Sequence, residues 1–337
     1  MPQKKIPEIQ HPARNRYAKR SSRNPSPKPL FVERMQELLK KDFKSYMEIL
    51  KHEPVRSIRC NLLKISPENL KKKLESKRWK INQPWKDYPE IMIIENELQP
   101  GELGRAIEHL LGYYYIQELA SMLPVLVLNP KPEETILDLA AAPGSKTTQI
   151  SATMKNTGTI IANDVSLGRI KILASNLERC GVSNTIVTKK DGLAFCRKLK
   201  KQDFQFDSIL VDAPCSGEGT LRSSPKTYLM WNIKTIKKLT KIQKSLVSAA
   251  LEILKSGGTL IYSTCTHAPE ENEQVVSEIL KEHKELTLET LLLPITPRPG
   301  IIKWQNQKYN SEVTKCARIY PQDNNTEGFF IAKFKKK

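Results

Sequence analysis

The chain has 337 residues, of which 55 are Lys or Arg and 36 are Asp or Glu, giving a formal net charge of +19 at pH 7. A hydrophobic fraction of 39% with four Trp excludes a wholly disordered chain, and no apolar run reaches the roughly 18 residues of a membrane span. The six Cys form no Cys-x-x-Cys pair and have no His at metal spacing, which argues against a disulfide scaffold and a structural zinc. A soluble, cytoplasmic, monomeric protein without a bound metal is expected.

Residues 1–30 hold eight Lys/Arg, one acid and six Pro, the composition of a basic arm. Lys and Arg that neutralise phosphates release counterions, so such an arm suits a nucleic acid; a merely solvated Lys-rich surface stays open on composition alone. From Phe31 to Leu50, apolar residues recur at helical spacing. Ser57–Leu63 reads as a strand, Pro67 opens a helix carrying Leu70 and Leu74, and Ile91–Ile94 reads as another strand. A small α/β unit over residues 31–112 is expected, followed by a larger domain over 113–337. In the latter, strands at Thr135–Leu139, Thr159–Ala162, Asn184–Thr188, Phe206–Val211 and Gly258–Tyr262 alternate with helices at Lys146–Met154, Ser166–Arg179 and Ile236–Leu254. That alternation predicts a mostly parallel sheet with ligands beyond its carboxyl strand ends.

The small residues Ala140, Ala141, Ala142, Pro143, Gly144 and Ser145, then Lys146, follow the first of these strands and let a ligand approach the backbone. The spacing is neither that of a phosphate loop nor G-x-G-x-x-G. Asp164 ends the second strand, where a carboxylate takes ribose hydroxyls, and Asp191 after the third strand suits an adenine edge. An adenosine cofactor without a dinucleotide loop points to S-adenosylmethionine. Asp212-Ala213-Pro214-Cys215 closes the fourth strand and Ser263-Thr264-Cys265 the fifth. A lone Cys is more often a packed thiol, and Cys60, Cys180, Cys196 and Cys316 are read that way. Two thiols beside a cofactor site and a carboxylate suit cytosine chemistry. Carbon 5 of cytosine is a poor nucleophile until a thiolate adds at carbon 6.

With these motifs the chain resembles the Sun/nucleolar-protein family of RNA cytosine-5 methyltransferases, over Tyr113–Lys337. Asp138–Thr147, Asp212–Thr220, Tyr262–Val276, Tyr115–Ser121 and Gly328–Ala332 carry the likeness, with Arg318 upstream of the last; Ile58–Lys64 is similar to the family's small N-terminal RNA-binding unit. The resemblance implies a class I Rossmann-like, seven-stranded methyltransferase sheet beside a small RRM-like domain. It implies Cys265 as the nucleophile on carbon 6, Cys215 as the thiol that helps resolve the adduct, Asp212 against the target cytosine and Lys146 near the reacting base. Residues 140–146, Asp164, Asp191 and Asp212 are implied around the cofactor, with Arg169 beside them. The family often has Cys where Ala140 stands and Gly where Ser145 stands. An RNA substrate is expected, tRNA ahead of rRNA.

Three rivals are weighed. An exocyclic-nitrogen methyltransferase typically carries an Asn/Asp-Pro-Pro-aromatic turn, which Asp212–Cys215 is not. A non-catalytic RNA-binding assembly factor has no need of both thiols and the cofactor loop. A Cys215–Cys265 disulfide is disfavoured in a reducing compartment. Pro269–Glu273, after the nucleophile motif, reads as ordinary helix-start chemistry and is not assigned to the site.

Overall fold

The structure, a computed structural model, describes residues 25–337. The expected basic arm lies outside the described residues except for residues 25–30. The helical stripe of 31–50 forms two helices, α1 (Pro29–Leu39) and α2 (Phe43–Ile49), rather than one. Lys40, at φ 50°, leaves the right-handed region and interrupts it.

The small unit runs β1 (Arg56–Cys60), α3 (Pro67–Glu75), β2 (Ile81–Asn82), β3 (Ile91–Ile94), two single helical turns, and β4 (Tyr114–Ile116). Its four strands are antiparallel in the order β2-β3-β1-β4. This is the strand order and element succession expected of an RRM-like unit. Two expected boundaries move. Strand β4 pairs with β1, so Tyr114–Ile116 lies in the small sheet, beyond the division at residue 112. Helices α1 and α2 pack on the larger domain instead: Phe31 makes edge contacts with Tyr228 and Trp231, and Met35 and Tyr46 join the same cluster.

Both faces of the small sheet are covered. Ile58, Cys60, Met92 and Ile94 pack with Leu70 and Leu74 of α3. On the other face, Ile91 and Ile93 join the larger domain's core, and Arg59 reaches its helices. The open sheet on which RRMs stack bases is therefore closed here.

The larger domain carries α4 (Leu119–Leu128), β5 (Thr135–Asp138), α5 (Ser145–Thr153), β6 (Thr159–Asp164), α6 (Leu167–Cys180), β7 (Thr185–Lys189), α7 (Gly192–Lys201), β8 (Phe206–Asp212), α8 (Ile233–Leu251), β9 (Leu254–Thr264) and α9 (Val275–Glu282). Three short strands, β10 (Leu286–Leu288), β11 (Arg298–Pro299) and β12 (Ala317–Ile319), precede the long β13 (Phe329–Lys336). Strands β9-β8-β5-β6-β7 are mutually parallel, and β13 and then β12 join antiparallel beside β9. These are the seven expected strands; β11 and β10 extend the sheet to nine by pairing with β12 and β13.

Period-two alternation buries the sheet on both faces. Leu137, Ile209, Val211, Leu260, Tyr262 and Phe330 pack under α7, α8 and α9. Ile136, Leu210, Ile261 and Ile331 pack under α4 and α5. Helix α4 retains Pro124 inside it, buried. Among the described residues no helix is long and apolar enough to cross a membrane.

Candidate active site

The carboxyl ends of β5, β8 and β9 converge on a cavity of about 640 Å³, which the small unit borders through Arg56 and Ser57. Ala140, Ala141, Ala142, Pro143, Ser145, Lys146, Arg169, Asp212 and Cys265 all line it. Gly144 stands behind the wall. Its φ of 102° makes the turn into α5, and a Cβ there would meet Leu173 Cδ1 at 2.9 Å.

Around the first loop the contacts are local. Gly144 N–H donates to Ala141 O, and Thr147 Oγ1 donates to Asp138 Oδ2 at 2.7 Å. Asp138 Oδ1 is buried with no partner, and burial pushes that carboxyl up to about 7. Asp164 accepts Ser166 N–H at 2.9 Å, and its Oδ2 lies 3.1 Å from Arg169 Nη1 without an aligned hydrogen bond. Arg169 in turn donates to Ala142 O. Asp164 thus sits beside the cavity behind Arg169. Asp191 is not brought to it: exposed on the surface, it caps α7 by accepting Ala194 N–H at 3.0 Å.

The fit of an adenosine cofactor is tested on these open valences. Two buried carboxylate oxygens without hydrogen bonds, at or beside a cavity walled by three alanines, match the polar and close-packed needs of such a ligand. Asp138, Ala140–Pro143, Asp164 and Arg169 would hold it.

At the other end, Lys146 Nζ lies 2.7 Å from Asp212 Oδ2, donates to Ser121 Oγ at 3.0 Å and sits 5.3 Å over the Phe329 ring. Ser263 Oγ donates to Asp212 Oδ1 at 2.7 Å. Cys215 Sγ and Cys265 Sγ are 3.0 Å apart, both free thiols, too distant for a disulfide and close enough to share a hydrogen. Cys265 N–H also donates to Cys215 Sγ. The Cys215 thiol is pushed well above its ordinary range, first by its hydrogen bond to Cys265 and then by burial, so it rests protonated. Gly219 lets the loops close: its N–H donates to Cys265 O, and a Cβ would stand 2.2 Å from Gly328 O. Cys60, Cys180, Cys196 and Cys316 are buried elsewhere.

The residues after Cys265 overturn a sequence expectation. Glu270–Gln274 forms a π-helical turn in which Glu271, Asn272 and Glu273 are wholly buried, not an exposed helix start. Glu271 Oε2 accepts Ser216 N–H at 3.0 Å and Gln243 Nε2–H at 2.8 Å. Asn272 Nδ2 donates to Thr266 O, and its Oδ1 accepts from Thr264. Glu273 pairs with buried Arg318, which also donates to His267 O at 3.0 Å. Four adjacent polar residues after a Pro look like a cap; only distant partners such as Ser216, 55 residues away, and Arg318, 45 residues away, show them to be a brace. Glu118 and Glu327 were also missed. Both line the cavity, and Glu118 Oε1 accepts Glu327 N–H at 2.9 Å. Among the described residues no cluster of His, Cys, Asp or Glu is arranged to hold a metal ion.

Known proteins are similar to this chain over most of its length. The family described as 16S rRNA methyltransferase RsmB/F matches residues 125–335, and the N-terminal domain of 16S rRNA methyltransferase RsmF matches residues 28–119. The tRNA (cytosine(49)-C(5))-methyltransferase of Pyrococcus abyssi is 44% identical over 286 residues, covering 85% of this chain and 89% of the relative. Ribosomal RNA small subunit methyltransferase F of Aliivibrio salmonicida is 41% identical over 284 residues; the match takes in 83% of this chain but 58% of that protein. Among solved structures, a methyltransferase homolog from Pyrococcus horikoshii superposes with a TM-score of 0.80 at 34% identity, covering 91% of this chain and 95% of its own. NSun6 from the same organism, solved with SFG, gives 0.77 at 28% identity, with 90% and 97% covered.

Proposed function

The chain belongs to the 16S rRNA methyltransferase RsmB/F family of S-adenosylmethionine-dependent RNA cytosine-5 methyltransferases, and on that footing we propose that it methylates a tRNA cytosine through a covalent bond between Cys265 and carbon 6. The observation that carries the covalent reading is the thiol pair, 3.0 Å apart, with Cys265 on the cavity wall beside Asp212 and Lys146. What supports tRNA is the archaeal tRNA enzyme, 44% identical over 89% of its length. The second reading, an rRNA substrate, is supported by the family's description and by relatives of which this chain spans 58%.

Bound S-adenosylmethionine supplies an electrophilic methyl group. Asp138, Ala140–Pro143, Asp164 and Arg169 would hold and orient the cofactor. The flipped cytosine, whose unstacking costs roughly a few kcal/mol, enters beside Phe329. Cys265 gives its thiol proton to water, its sulfur adds to carbon 6, and the ring's electron pair moves toward carbon 5. Asp212, held by Ser263 and Lys146, faces and orients the ring, and the Lys146 ammonium beside it stabilises the negative charge that develops there. Carbon 5 takes the methyl group, and Cys215 assists loss of its proton and release of Cys265.

The test is to incubate tRNA and 16S rRNA transcripts with radiolabelled cofactor and map the label. Label at cytosine carbon 5 in tRNA is expected; label confined to rRNA moves the substrate to the second reading. Cys215→Ala should trap a denaturation-resistant RNA–protein species that Cys265→Ala abolishes. A trapped species in the Cys265 variant reverses the two roles.

A further inference from the structure

Cys215 resolves the adduct only if its sulfur is held against Cys265 while the ring is attached, and the turn that carries it has little regular structure of its own. Residues 213–217 follow the last residue of β8 as irregular chain. Three tethers reach this turn from elsewhere. Gln243 of α8 donates to Pro214 O at 2.9 Å, Ser216 Oγ shares a hydrogen bond with Thr266 Oγ1 at 2.8 Å, and Ser216 N–H donates to Glu271 at 3.0 Å. Glu271 is the hub. The same Oε2 takes Gln243 Nε2–H, its backbone O accepts Tyr262 O–H, and its Oε1 is buried with no partner.

We infer that Glu271 is a positioning residue for Cys215, fixing the Pro214–Ser216 turn so that the second thiol stands ready to resolve the covalent intermediate. This rests on the covalent reading given above. A wholly buried carboxylate spent on one backbone N–H and one amide is an expensive fastener for a loop unless the loop's position matters.

The step it serves balances as follows. With Cys265 bonded to carbon 6, Cys215 gives its thiol proton to water. As a thiolate it takes the proton from methylated carbon 5. The C5–H pair becomes the C5=C6 double bond, and the C6–S pair leaves with Cys265. Cys215 is then a thiol again, and Cys265 takes a proton from water to return to its own resting state.

The experiment compares wild type, Glu271→Gln, Gln243→Leu and Cys215→Ala in single-turnover reactions with tRNA transcript and cofactor. It follows methyl transfer and the denaturation-resistant adduct separately. Glu271→Gln should form adduct within about threefold of the wild-type rate yet accumulate about tenfold more of it, with steady-state turnover falling in proportion. A merely structural role would depress both phases together and leave no adduct behind. Gln243→Leu, which removes one tether and keeps the carboxylate, should accumulate adduct about threefold, and it decides the matter if Glu271→Gln does not fold. Adduct in Cys215→Ala with wild-type resolution in both other variants overturns the inference alone. No adduct in Cys215→Ala removes the covalent reading and this inference with it.

Discussion

The two halves of the cavity are built on different length scales. In the cofactor half, Asp138 meets Thr147 nine residues on, and Asp164 meets Ser166 two residues on; the longest reach, Arg169 to Ala142, spans 27. In the thiol half, Lys146 meets Asp212, Ser263 meets Asp212 across 51 residues, Cys265 meets Cys215 across 50, and Ser216 meets Glu271 across 55. A strand–turn–helix can shape a binding wall by itself. Placing two sulfurs within 3.0 Å of each other takes loops from two strands and a brace from a third element. The half that receives a ligand is local, and the half that performs the chemistry is assembled from the whole domain.

This contrast can be broken by substitution. The largest effect is expected in the thiol half: Cys265→Ser should lower kcat by at least about 10³-fold with cofactor affinity unchanged, since a hydroxyl cannot replace a thiolate nucleophile. Isothermal titration and a turnover assay check both parts, and near-wild-type turnover would remove the covalent account. Next in size is the brace. Arg318 and Glu273 are both buried, so Arg318→Met strands a carboxylate and should cost about 3–5 kcal/mol of stability by chemical denaturation. Adding Glu273→Gln should recover part of that loss.

In the cofactor half, Asp164→Ala should weaken S-adenosylmethionine binding about 10- to 100-fold, the worth of a charge-assisted hydrogen bond. A variant that binds as wild type does would move the ribose contact elsewhere. The smallest effect is a pH dependence of the ligand-free protein. The Asp138 carboxyl sits near 7 when folded against an ordinary value near 3.8, so the folded state holds its proton longer. Its contribution is fully present below about pH 4 and is lost as pH rises through 7. Asp138→Asn should therefore be more stable than wild type at pH 8, by about 1–3 kcal/mol in chemical denaturation, with the gap narrowing as pH falls and closing near pH 4.

The same length scales explain what the sequence revealed. The strands were legible because Ile136–Asp138 and Ile209–Asp212 put apolar runs before small or acidic strand ends, a local signal that the buried parallel sheet preserves. The alanine loop, Asp164 and both thiols were legible for the same reason: each closes a strand. Glu271 and Glu273 were not, because what separates a cap from a brace is a partner dozens of residues away. The path of residues 31–50 was hidden too. Its apolar stripe was plain, but neither the break at Lys40 nor its seat on Tyr228 and Trp231 is a property of the stripe. Asp191 fell the other way: a strand-end carboxylate that the sheet leaves capping its own helix.

The most direct measurement of the central claim replaces the target cytosine of the RNA with 5-fluorocytosine, whose carbon 5 has no proton to lose, and maps the stalled adduct by peptide mass spectrometry. The account expects the pyrimidine on the peptide carrying Cys265, bonded through carbon 6 and already methylated at carbon 5. A pyrimidine on the Cys215 peptide, or methylated RNA with no bonded protein, contradicts it.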